Sequence, residues 1–255
     1  MVDPNWWKTL FNDVYLKTDA RSVCDDDITK LEVDIFCDML DLKKEDRILD
    51  LCCGHGRHSI ELCKRGYKNI TLFDYSDHLL KIAKTNSKKL GFKINIVQGN
   101  AVDTKIKASS FDHVLLLGNS LGYMIDSNAD LLILKEIYRL LCTQGLILLD
   151  LSNATNIKDL KPNIWYEIGQ DIVVCRQREC HTKKIHTREM VISKKNGLIR
   201  DQTYAIKLYE PLSLKALVEK AGFVNIKNRL DISCHKDEKD YGFMNNRMIF
   251  VARKP

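Results

Sequence analysis

The stretch Ile48-Leu49-Asp50-Leu51-Cys52-Cys53-Gly54-His55-Gly56-Arg57-His58 decides the fold. A short apolar run with strand character enters a tight Gly-x-Gly turn and leaves it as a helix. Glycines let a backbone approach a ligand closely, and the helix after such a turn presents free amide hydrogens and the positive end of its dipole. A cofactor belongs there. About 20 residues on, at the position where an acid can hold both hydroxyls of a ribose, Asp74 ends the next apolar run. The plainer alternative is an Asp74 that only opens a turn before Ser76.

Outward from this stretch, short apolar runs alternate with longer amphipathic ones. Strands are expected at Arg47–Leu51, Asn69–Phe73, Lys93–Gln98, His113–Leu117 and Leu146–Asp150, the rhythm of βαβ units around a parallel sheet. Ser76 reads as the N-cap of a helix burying Leu79, Ile82, Ala83 and Leu90, stopped by Gly91, and a second helix near Asp130–Cys142 carries Leu134, Ile137 and Leu141 on one stripe. Trp165–Tyr209 reads instead as three strand-like stretches, an antiparallel insert. The βα rhythm returns with a helix after Pro211 and strands at Phe223–Asn228 and Asn246–Ala252. Helical stretches over Asn5–Leu42 place Trp6, Trp7, Phe11 and Tyr15 on one apolar face.

With 255 residues, 45% of them hydrophobic, the chain is long enough for a sizeable α/β core. A net charge of +6 with scattered lysines reads as a solvated surface rather than a phosphate-tracking patch. No apolar run approaches the roughly 18 residues of a membrane span, and Met1–Lys8 lacks the layout of a signal peptide. Nine irregularly spaced cysteines suit a reducing compartment. A cytoplasmic protein, monomer or homodimer, away from membranes and nucleic acid, is expected. No metal site is expected: Cys175, Cys180, His181 and His186 match no zinc spacing, and strand parity parts the two cysteines.

Several ordered motifs resemble those of the class I S-adenosylmethionine (SAM)-dependent methyltransferases. Asp50-x-Cys52-x-Gly54-x-Gly56 looks like their glycine motif, Asp74 like their ribose acid, and Gly99-Asn100-Ala101 like the turn that faces adenine. Phe111-Asp112, Arg139-Leu140-Leu141 before Gly145, and Gly118-Asn119-Ser120-Leu121-Gly122-Tyr123 also fit, the last with Leu208-Tyr209, Ala221-Gly222-Phe223 and the closing Phe250–Pro255 resembling a bacterial subgroup with an antiparallel insert. The resemblance departs at Cys52, where the family has glycine, and at Asn100, where aspartate is common.

The resemblance implies an α/β fold: a Rossmann-like, seven-stranded, mostly parallel sheet with helices on both faces, a helical N-terminal cap and an antiparallel β insert. The divisions expected are 1–46 (cap), 47–152 (SAM-binding core), 153–207 (insert, acceptor side) and 208–255 (end of the core). It implies SAM as cofactor, with S-adenosylhomocysteine (SAH) as product, and a cofactor site of Tyr15, Asp50, Cys52, Cys53, Gly54, Gly56, Asp74, Tyr75, Asn100, Ala101, Leu117 and Gly118. Asn119, Ser120, Tyr123, Trp165 and Arg188 would face a small-molecule acceptor, with Arg176, Arg178 and His186 as further insert candidates. If an O or N nucleophile loses a proton, His55, His58 and Tyr123 are the candidate bases. Trp7, Phe11 and Tyr15 read equally as a lid or as core. The competing readings are a nucleotide-linked dehydrogenase, an RNA-directed methyltransferase and a SAM-binding protein with little turnover.

Overall fold

The computed structural model describes residues 2–124, 126, 128–155, 160–181, 183–234 and 246–255. The chain opens with helices α1 (Trp7–Leu10), α2 (Asp13–Thr18), α3 (Ala20–Val23) and α4 (Asp26–Leu40). Asp25 starts α4 by accepting from the amides of Asp27 and Ile28, both at 2.9 Å, and Asp26 and Asp27 sit against the positive end of the helix dipole. Its Ile28, Val33, Phe36 and Leu40 are buried.

The core follows as β1 (Ile48–Leu51), α5 (Arg57–Lys64), β2 (Ile70–Asp74), α6 (Asp77–Lys89), β3 (Asn95–Gln98), β4 (Phe111–Leu116), α7 (Ala129–Leu140) and β5 (Leu141–Ser152). It resumes after the insert as α8 (Pro211–Lys220), β10 (Val224–Ile232) and β11 (Arg247–Arg253). The seven strands run in the order β10-β11-β5-β4-β1-β2-β3, with β11 antiparallel to both β5 and β10 and the other pairs parallel. Strand order reverses between β1 and β4, so the exits of these two neighbours open side by side. That is the place where an open α/β sheet takes its ligand.

Alternate strand residues feed two cores. Leu49, Leu51, Val114, Leu116, Ile147 and Leu149 pack on one face with α7 and α8. On the other, Ile48, Leu115, Leu148 and Ile249 meet Val33, Phe36 and Leu40 of α4. Strands covered on both faces must be apolar throughout, which is why the sequence signals these strands without alternation.

The insert is a second, antiparallel sheet of β6 (Asn163–Ile168), β7 (Ile172–His181), β8 (Lys184–Ser193) and β9 (Gly197–Lys207), in that order. Four strands stand where three were expected, because Gly169 at φ +58° turns the chain within the first of the three stretches. Two smaller expectations also change. Leu90 is the C-cap of α6 and 49% exposed rather than part of its buried face, and Leu141 opens β5. Among the described residues no helix is long and apolar enough to cross a membrane.

Candidate active site

At the end of β1 the backbone turns through left-handed conformations at Cys52 (φ +60°), Gly54 (+56°) and Gly56 (+75°). The turn is held from the neighbouring strand: the Cys53 amide donates to the Phe73 carbonyl at 3.1 Å, and the Gly54 amide to Asp74 Oδ2 at 2.8 Å. Asp74 Oδ1 accepts from the Ser76 amide at 2.8 Å, so this acid is tied to the start of α6 as well. Cys52 fits in place of a glycine, but a side chain in this conformation costs about 1 kcal/mol.

The two motif glycines do different work. A Cβ on Gly54 would meet nothing nearer than Leu79 Cδ1 at 3.7 Å, so its open side is the cavity. On Gly56 a Cβ would lie 3.1 Å from Leu72 and 3.2 Å from Ala83, where α5 packs on the sheet. Gly56 does not line the cavity, which corrects its expected place among the ligand contacts: it is needed for close packing.

The β4 exit is built in the same way. Gly118 (φ +63°) and Asn119 (φ +64°) turn the chain, and Asp150 pins them, its Oδ2 accepting from the Gly118 amide at 3.0 Å. The polar atoms of Asn119 and Ser120 serve this turn: Asn119 Oδ1 accepts from the Ser152 amide at 3.0 Å and Ser120 Oγ donates to the Leu117 carbonyl at 2.7 Å. After β3, Asn100 Oδ1 accepts from the Val102 amide at 3.1 Å, which fixes the orientation of its amide.

These three exits meet in one cavity of about 240 Å³. Of the expected site residues it gathers Tyr15, Asp50, Cys52, Cys53, Gly54, His55, His58, Asp74, Tyr75, Asn100, Ala101, Leu117, Gly118, Asn119, Ser120 and Tyr123. Trp165 and Arg188 lie outside it and are corrected. Trp165 is 71% exposed, and Arg188 points away from the buried face, paired with Asp201 at 2.7 Å. Strand parity explains both: Glu189, next to Arg188 in the chain, and Arg176, opposite Ile164 and so one residue out of step with Trp165, face inward, which turns Arg188 and Trp165 outward.

Electrostatics suit a cationic ligand. Burial pushes the Asp50 carboxyl up to about 7, against a 2.7 Å hydrogen bond from Ser59 and with the neighbouring Asp74 adding to the rise. Asp50 Oδ1 is buried with no hydrogen-bond partner. Burial also raises Asp74, against three backbone amides. Two buried acids around one turn are stabilised by a positive charge between them, and the α-ammonium and sulfonium of SAM fit that requirement.

The candidate bases differ. Burial, with Arg57 and His58 adding, pushes His55 down to about 4, so its ring is neutral at pH 7. Burial and Arg57 also lower His58, whose Nε2 lies 2.8 Å from Glu32 Oε2. Burial raises the Tyr15 and Tyr123 hydroxyls, which stay protonated.

Sequence reading missed a buried ion cluster beneath the cavity. Glu32 of α4 accepts from Arg57 and Arg247, and Arg247 also grips Asp150, its Nε lying 2.8 Å from Oδ1. Burial alone would raise Glu32, but Arg247, His58 and Arg57 hold it well below the carboxylate range. Glu32 and Arg247 are 215 residues apart, and no local signal announces the pair. Also missed were Trp6, Arg200 and Tyr204, all of which line the cavity. Among the described residues no group of three or more His, Cys, Asp or Glu is placed to share a metal ion.

Residues 48–145 match the family described as a methyltransferase domain. The demethylmenaquinone methyltransferase of Lactobacillus johnsonii is 33% identical over 126 residues, 48% of this chain and 50% of that protein. The glycine/sarcosine N-methyltransferase of Halorhodospira halochloris is 30% identical over 138 residues, 52% of this chain and 50% of that one. The chain therefore spans about half the length of the curated relatives it matches. The CcbJ methyltransferase from Streptomyces caelestis shares the fold, with a TM-score of 0.74 at 16% identity over 98% of both chains. With the β1 and β4 exits side by side at the reversal of strand order and the matched span running from β1 into β5, residues 48–145 form a methyltransferase domain of the class I, Rossmann-like kind.

Proposed function

We propose that the protein transfers the methyl group of SAM to an O or N nucleophile of a small molecule by direct in-line displacement. The observation that carries this reading is the pair of buried acids around the glycine turn, with Asp50 Oδ1 lacking a partner. In this assignment Asp50 and the Gly54 turn receive the amino-acid half of the cofactor, Asp74 its ribose, and Asn100 and Ala101 its adenine. Bound there, SAM supplies an electrophilic methyl group that needs no covalent enzyme intermediate. The task of the chain is then to hold the acceptor in line, with the reacting atoms about 3 to 3.5 Å apart.

Proton removal falls to His55 among the three candidates, since Glu32 occupies His58 and Tyr123 keeps its proton. A ring that protonates only near pH 4 is a weak base, sufficient for a proton already made acidic by methylation. The nine free cysteines support the cytoplasmic setting.

Calorimetry with SAH tests the assignment. Asp74→Ala removes a charge-assisted acceptor, so SAH affinity should fall by at least about fivefold, roughly 1 kcal/mol. An unchanged Kd would show that the ribose acid is misassigned.

A further inference from the structure

The acceptor side of the cavity is a box of rings. Trp6, only 1% exposed, lies between Tyr123 and Tyr204, with centroids 5.2 and 5.4 Å away, and Phe11 stacks on Tyr123 at 5.7 Å. Its polar atoms are unusual. The indole Nε1 of Trp6 is buried with no partner. Three other tyrosines spend their hydroxyls on the protein: Tyr67 donates to the Leu42 carbonyl at 3.3 Å, Tyr166 to the Thr18 carbonyl at 2.7 Å and Tyr209 to Asp130 Oδ2 at 2.5 Å. Among the described residues no protein group bonds the hydroxyls of Tyr15, Tyr123 or Tyr204, and all three rings line this cavity. A buried donor left unpaired costs about 1 to 3 kcal/mol, so its persistence calls for a partner from outside the chain.

Charge is spent behind the rings. Arg176 bridges Asp19 at 2.8 Å and Glu189 at 2.7 Å, Arg200 reaches Glu189 at 3.0 Å, and Arg178 is engaged as well. Among the described residues an anionic acceptor finds no uncommitted cation there. A cationic amine would need an open aromatic face, but three rings, those of Phe11, Tyr123 and Tyr204, crowd Trp6, whose unspent group is an N–H donor.

We propose that the acceptor is an uncharged planar ring compound, a phenol or hydroxylated heteroaromatic, held in this box with an oxygen or ring-nitrogen lone pair accepting from Trp6 Nε1–H. This deepens the methyl-transfer reading and rests on it. The phenolic oxygen gains its bond to the methyl carbon as the carbon–sulfur bond breaks, and the phenolic proton leaves to solvent or His55.

The test titrates the full chain, loaded with SAH, with catechol, esculetin and 7-hydroxyquinoline by calorimetry. It also measures methylation of the same compounds by mass spectrometry with SAM, beside glycine and glucosamine. At least one aromatic should bind and be methylated while glycine and glucosamine stay inert. Trp6→Phe, which keeps the ring but not the donor, should weaken that aromatic about tenfold and leave the SAH Kd unchanged; Tyr204→Phe, which removes only a hydroxyl, serves if Trp6→Phe fails to fold. Methylation of glycine or glucosamine with the aromatics inert overturns the proposal while sparing methyl transfer. So does SAH-loaded protein that binds none of the aromatics, or a donor-less variant that binds them normally. Wild-type protein that does not bind SAH sinks the underlying reading instead.

Discussion

One wall of the cavity is made of backbone turns at three strand exits; the opposite wall is made of side chains brought together from elements far apart, as in the 3.0 Å bond from Arg200 to the carbonyl of Leu10, 190 residues away. The first wall is fixed locally: the β1 and β4 turns each carry their own left-handed residues and a single acid from a neighbouring strand, and the side chain of Asn100 closes the β3 turn. The second exists only when the N-terminal helices and the inserted sheet have docked, and buried ion pairs and rings hold that seam. A surface built this way can change its ligand by substituting side chains without disturbing the turns opposite.

Three measurements break or sharpen this contrast. Glu189 is 2% exposed and holds both Arg176 and Arg200, so Glu189→Ala should cost about 3 to 5 kcal/mol of stability in denaturant titration. SAH affinity at a temperature where the variant is folded should stay within about threefold; a parallel collapse of both would show that the walls are not separable. Gly54→Val does the reverse. The new side chain fills the ligand's space from a strained φ of +56°, so calorimetry should show SAH affinity at least about 100-fold weaker, near 2.7 kcal/mol, with a smaller loss of stability than Glu189→Ala.

The smallest effect is a pH dependence. Asp50 titrates near 7 in the folded protein, raised above its unfolded value by burial. Its neutral form therefore favours folding: that contribution is complete below about pH 4 and is lost as the pH rises to about 7. Binding of an ammonium runs the other way, because it needs the ionised carboxylate. SAH affinity should rise about tenfold from pH 5.5 to 7, and Asp50→Asn should flatten the profile. A steep profile in that variant would assign the titration to another group.

The sequence reveals the first wall far better than the second, for a physical reason. A glycine turn and an acid at a strand end are local devices, visible as residue types at fixed spacing. Even so, Gly54 and Gly56 look alike in sequence, and only packing against Leu72 and Ala83 separates the cavity-facing glycine from the structural one. In the insert, alternation reveals two faces but not which one turns inward, so Trp165 and Arg188 stand out in the sequence while Glu189, next in the chain to Arg188, stays hidden. Glu32, Arg247, Trp6 and Tyr204 are hidden for a third reason: their roles depend on partners that only the folded chain supplies.

Arg247 joins carboxylates from two distant parts of the chain, Glu32 on the cap and Asp150 beneath the Gly118 turn. Holding that turn and seating helix α4 are therefore coupled through one guanidinium. Linkage makes the coupling reciprocal: whatever factor a docked cap adds to cofactor affinity, bound cofactor returns to cap docking.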